Sequence, residues 1–135
     1  MRRCQRPQGD CGCGARPEAR AGFEPAIGPY SSLGLEVQIT EFDVSLYIAG
    51  HGYEESDCYT LETFTEDRPE QQAERYREFF DMFREHSDAI TGVTFWGAAD
   101  DNTWLSEFSS GRTDLPLVFD VNHEPKPAFD AVMDF

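Results

Sequence analysis

The chain has 135 residues, 39% of them hydrophobic and 13% aromatic, with 11 phenylalanines. That is the size of one ordinary domain, with enough apolar surface to exclude disorder over most of its length. The formal charge of −15 argues against a phosphate-binding surface, which needs clustered Lys and Arg, and no apolar run approaches the ~20 residues of a membrane-spanning helix. Neither a nucleic acid nor a membrane is therefore expected as partner.

Residues 1–32 differ from the rest. They hold five arginines against three acids, a net +2 that leaves −17 for the remainder. Gly9, Gly12, Gly14, Gly22 and Gly28 alternate with Pro7, Pro17, Pro25 and Pro29, without helical or strand periodicity. The expectation is loop or disorder, with a boundary near residue 32. Met1-Arg2-Arg3-Cys4 is not followed by an apolar stretch, so no secretory signal is read, and location stays open. Cysteines stand at 4, 11, 13 and 58, a spacing that fits zinc ligation poorly. They read as incidental thiols, and no metal or other cofactor is expected.

From Leu33 the pattern changes. Leu35, Val37 and Ile39 alternate with Glu36, Gln38 and Thr40, which predicts a strand with one apolar face. Continuing the period of two, Glu41 and Asp43 project from that same face at the strand's C-terminal end. Carboxylates in such a place must be paired or functional. A loop through Gly50 and Gly52 follows. Asp67 and Glu70, with Pro69 between them, mark a helix start. Its stripe of Ala73, Tyr76, Phe79, Phe80 and Phe83 reads as core packing, while Glu74, Arg75, Arg77, Glu78 and Arg84 face water. Residues 90–97 are a second apolar strand ending near Trp96. A polar loop, Asp100-Asp101-Asn102-Thr103, leads to Trp104. Leu115 to Phe119 is short and extended, and Pro125 to Phe129 opens a last helix.

Two strands joined by one helical crossover form a βαβ unit, so the strands should be parallel. Glu41, Asp43, Trp96 and Trp104 all lie at or beyond strand C-terminal ends, the edge where parallel β/α folds build their sites. On those grounds alone Glu41 is a candidate, and both tryptophans are more often core or rim aromatics. His51, His86 and His123 show no ligand spacing and read as ordinary loop or surface residues.

Leu33-Gly34-Leu35-Glu36-Val37-Gln38-Ile39-Thr40-Glu41-Phe42-Asp43-Val44-Ser45 resembles the seventh strand of glycoside hydrolase family 10 xylanases. Val93-Thr94-Phe95-Trp96-Gly97, with Asp100 to Leu105, is similar to that family's eighth strand and following loop. Pro116-Leu117-Val118-Phe119-Asp120 and Lys126-Pro127-Ala128-Phe129 look like its closing segment and last helix. The resemblance implies an α/β fold: a partial β/α (TIM) barrel in residues 33–135, covering roughly the last two of eight β/α units. It implies retaining hydrolysis of xylan, with Glu41 as nucleophile and Asp43 orienting a histidine that bonds the nucleophile. Trp96 and Trp104 would line the sugar subsites.

The family's acid/base glutamate belongs to an Asn-Glu pair on an earlier strand, and this chain has no Asn-Glu dipeptide. The histidine partner should precede Leu33, yet residues 1–32 contain none. The expectation is a truncated portion, inactive alone, behind a foreign leading segment from a truncated or mis-spliced reading. The alternative is a carbohydrate-binding remnant without catalysis. Asp100, Asp101 and Glu54 are the acids nearest to replacing the missing carboxyl, although the family places none there.

Overall fold

The computed structural model of the chain describes residues 18–45, 68–105 and 114–135. Strands β1 (Val37–Phe42) and β2 (Ile90–Phe95) pair in parallel, and α2 (Arg68–Glu85) lies in the connection between them. α1 (Glu18–Ser32) comes first and α3 (Pro127–Met133) last. The expected βαβ order is present. Parallel neighbours need such a crossover, because a tight hairpin joins only antiparallel strands.

Helix α2 carries Pro69 in its first turn, where a missing backbone donor costs little, and Glu70 at the positive end of the helix dipole. Asp67, the expected cap, lies outside the described residues. The expected stripe faces inward: Ala73, Tyr76 and Phe83 are buried, and Phe79 and Phe80 pack against the same core. Arg84 only half-faces water. It donates to Val132 O of α3 at 2.7 Å, and its guanidinium lies over the rings of Phe80 and Phe135.

Phe42 holds the strands to this helix. Its ring meets Phe79 at 5.3 Å, Phe83 at 5.5 Å, Tyr76 at 5.6 Å, and Phe80 and Phe95 at 5.9 Å, edge-on in every case. Each such pair adds about 0.5–1.5 kcal/mol to the burial itself.

That ring corrects the expected facing of the catalytic candidates. Ile39 pairs with Val93, but the next paired residues are Phe42 and Phe95, three steps on β1 against two on β2. The extra residue on β1 breaks the alternation, and both Thr40 and Glu41 are exposed. Val37 and Ile39 therefore share the helix-side face with Phe42, and Glu41 does not. Phe42 and Val44 are both core residues, so Asp43 between them also points away from α2. A one-residue slip reverses every later side chain. Leu35, expected on the apolar face, lies before the strand and is exposed.

A second correction concerns the leading segment. Residues 18–32 are helical, against the expectation of loop or disorder, despite Pro25 and Pro29 inside the helix. Interior prolines and glycines oppose a helix in isolation; here contacts with the rest of the fold override them. Ile27 is buried in the core, and Phe23 meets Phe79 edge-on at 5.7 Å. The helix stops where Gly34 takes φ 70°. Gly34 N donates to Ser31 O at 2.9 Å and Leu35 N to Tyr30 O at 3.2 Å, the paired bonds of a Schellman motif.

The C-terminal segment is latched onto the end of β2. Phe119 bridges Ala99 on one side and Pro125 on the other. Lys126 Nζ reaches Asp100 Oδ2, Leu115 O and Leu117 O, each at 2.8 Å. Asp100 Oδ1 accepts from Leu117 N at 2.8 Å. Gly97 sits so close that a Cβ there would lie 2.9 Å from Leu117 Cδ1. Ala128 and Ala131 of α3 are fully buried, which lets this short helix pack on α2.

Truncating the central ring tests the arrangement. Phe42→Ala is expected to cost about 3–5 kcal/mol, as for other buried aromatic truncations, read as a lower urea midpoint. An unchanged midpoint would mean that Phe42 does not hold β1 to α2.

Candidate functional site

The face of the sheet turned away from α2 is polar. At its C-terminal end Glu41 is exposed, two positions before half-buried Asp43. Trp96 N donates to Phe42 O at 3.2 Å, so the ladder runs one rung beyond the end of β2. Phe95 packs toward α2, and Trp96 turns to the opposite side with 48% of its surface exposed. Trp104, arriving from the loop after β2, donates its indole N–H to Asp43 Oδ2 at 2.9 Å. The four residues singled out from sequence thus gather at one end of the parallel pair, with Trp104 tied to the strand through Asp43.

Burial raises the Asp43 carboxyl above the ordinary aspartate range; the Trp104 hydrogen bond opposes this and the charge of Asp114 adds to it. Asp114 is fully buried and accepts a hydrogen bond from the Ser45 hydroxyl. From α2, Gln72 Nε2 donates to Val44 O at 2.8 Å and Leu115 O at 2.7 Å, and Tyr76 donates to Pro116 O at 2.5 Å. Gln72 and Asp114 went unremarked in the sequence, and Tyr76 read only as core. One signal was available: a tyrosine within a phenylalanine stripe brings a hydroxyl that must find a partner.

Two of the three acids that could replace the missing carboxyl are committed elsewhere. Asp100 is almost wholly buried against Lys126 and the Leu117 amide; burial raises its carboxyl, and those two bonds hold it down. Asp101 meets His123 Nε2 at 3.0 Å. Glu54 lies outside the described residues. Among the described residues no three His, Cys, Asp or Glu side chains are grouped to hold a metal ion.

The sequence model of glycosyl hydrolase family 10 matches residues 12–135, a stretch that includes all of α1. A β-1,4-xylanase of Dictyoglomus thermophilum is 45% identical over 114 residues, 84% of this chain and 31% of that protein. Among solved structures, an endo-1,4-β-xylanase from Caldicellulosiruptor owensensis superposes with a TM-score of 0.74 at 40% identity, covering 89% of this chain and 35% of the other. A mutant solved in complex with xylotriose gives 0.74 at 39% identity, covering 90% and 36%. The chain spans about a third of the length of the curated relatives it matches. Its parallel pair and crossover helix are a portion of the β/α barrel of these enzymes.

The raised Asp43 carboxyl sets a pH dependence. Folding favours the protonated form, so ionisation subtracts stability as pH rises from the unfolded value through the higher folded one. Asp43→Asn should therefore gain stability on the parent at about pH 7 and lose that gain below about pH 4, where the unfolded aspartate is itself protonated. Urea midpoints on both sides of that window check it. An advantage that grows on acidification would contradict it.

Proposed function

The chain belongs to glycosyl hydrolase family 10, and on that footing we propose that it carries the nucleophile-bearing part of a retaining endo-1,4-β-xylanase, with Glu41 as the nucleophile. The observation that carries this reading is the placement of Glu41 on the open sheet face at a strand C-terminal end, beside Asp43 and Trp96. An exposed carboxylate there is free to attack an anomeric carbon and form a glycosyl-enzyme. The exposed Trp96 indole offers a flat apolar surface to sugar C–H groups. Asp43 Oδ2 accepts from the Trp104 indole N–H; its other oxygen would take the histidine partner.

Retaining hydrolysis needs a second carboxyl about 5–5.5 Å from the first, to protonate the leaving oxygen and then activate water. Asp100 and Asp101 are bonded to Lys126 and His123 instead, and the chain contains no Asn-Glu pair. Proton transfer of this kind is commonly worth about 10²–10⁴ in rate. The 135-residue chain alone is therefore expected to be inactive on xylan. A second reading, sugar binding without catalysis, draws on the exposed indole of Trp96.

A 2-deoxy-2-fluoro-xylobioside with a dinitrophenyl leaving group separates the two, because so good a leaving group needs no acid. The purified chain should acquire one covalent sugar, mapped to Glu41 by peptide mass and absent from Glu41→Gln. No reducing sugar should appear from xylan. A label on another residue, or xylan hydrolysis undiminished by Glu41→Gln, would overturn the assignment. Quenching of tryptophan fluorescence by xylo-oligosaccharide, without any labelling, would favour binding alone.

A further inference from the structure

The strand end bearing Asp43 lies beyond the last paired residues of β1, so the sheet ladder does not fix residues 43–45. What fixes them comes largely from α2. Gln72, 2% exposed, uses both hydrogens of its amide, one on Val44 O at 2.8 Å and one on Leu115 O at 2.7 Å. One turn on, Tyr76 donates to Pro116 O at 2.5 Å, and Pro116 O also receives Val44 N at 3.3 Å. Arg75, between them, reaches Ser45 O at 3.4 Å. The two backbone segments so clamped are those that carry Asp43 and Asp114.

Orientation of the Gln72 amide is decided by this duty. With both N–H groups turned to carbonyls, its Oε1 is buried and has no hydrogen-bond partner among the described residues. An unpaired buried acceptor is costly, and apolar filling of the same space would avoid it. The cost is tolerated for two donors in one place, which among side chains of this length and shape only an uncharged amide supplies.

We propose that Gln72, seconded by Tyr76, is a positioning residue for the Glu41–Asp43 strand end. It locks the main chain at Val44 to that at Leu115 and so holds Asp43 where Trp104 can bond it. The catalytic meaning of that strand end rests on the xylanase reading above; the clamp itself does not.

The test needs no sugar chemistry. In the ¹⁵N-labelled chain the indole N–H resonances of Trp96 and Trp104 are assigned with Trp96→Phe, and their hydrogen exchange is compared. The Trp104 proton should exchange at least about tenfold more slowly than the exposed Trp96 proton. In Gln72→Met and Gln72→Glu, which keep the side-chain length but lose the paired donors, Trp104 protection should fall to near that of Trp96. Ala131→Gly, a destabilising change in α3, should leave it in place. If protection falls in all three variants in proportion to stability, or survives in both Gln72 variants, Gln72 does not position the strand end. Should the Gln72 variants fail to fold, Tyr76→Phe removes a single hydroxyl from the same clamp, and unchanged Trp104 protection there would overturn the proposal. Because no substrate enters, failure to label Glu41 leaves this result standing, and loss of the clamp leaves the labelling result standing.

Discussion

Burying the ring of Phe42 among five aromatic neighbours fixes which way every side chain at the end of β1 points. The ring can enter that cluster only if the strand gains a residue against β2 between Ile39 and Phe42. The slip disturbs the ladder locally, and the packing of one large aromatic side chain offsets it. Its chemical result falls on the neighbours. With Phe42 and Val44 turned to α2, Glu41 and Asp43 must turn to the other face, where water can meet them.

The parallel pair, the crossover helix and its aromatic stripe were legible in the sequence, because they rest on periodicities of two and 3.6 that survive in the fold. The chain positions of Glu41, Asp43, Trp96 and Trp104 were legible too, but the face was not. Alternation runs unbroken in the text from Leu35 to Asp43, so nothing there marks the slip. Helix α1 was hidden by its prolines and glycines, although Gly34 just past its end is a usual stop signal. Gln72 was invisible for a different reason. Its partners are main-chain carbonyls 28 and 43 residues away, and no local pattern encodes them.

Electrostatics near the site are dominated by burial. Asp43 and Asp100 are both pushed toward their protonated forms by desolvation, and Asp114 adds to each. Lys126 is pushed the opposite way by the same burial, despite its bond to Asp100. A buried pair of this kind adds little net stability, whereas breaking it leaves a stranded charge. Its consequence here is geometric: one ammonium gathers Asp100, Leu115 and Leu117, and so sets the path of the segment that Gln72 grips from the other side.

The register of the sheet also has a bearing on time. Val37 pairs with Ile90 across the whole of α2 and the segment before it. A contact between residues so distant in sequence forms only after the intervening chain has lost its freedom, and parallel pairing is slow for that reason. Helix α2 is local and can form first, presenting Phe79, Phe80 and Phe83 before either strand has a neighbour. During synthesis Phe42 emerges ahead of that helix and Phe95 after it. The aromatic cluster that later orients Glu41 is, until β2 arrives, a sticky surface awaiting its cover, and the order of emergence from the ribosome sets how long it waits.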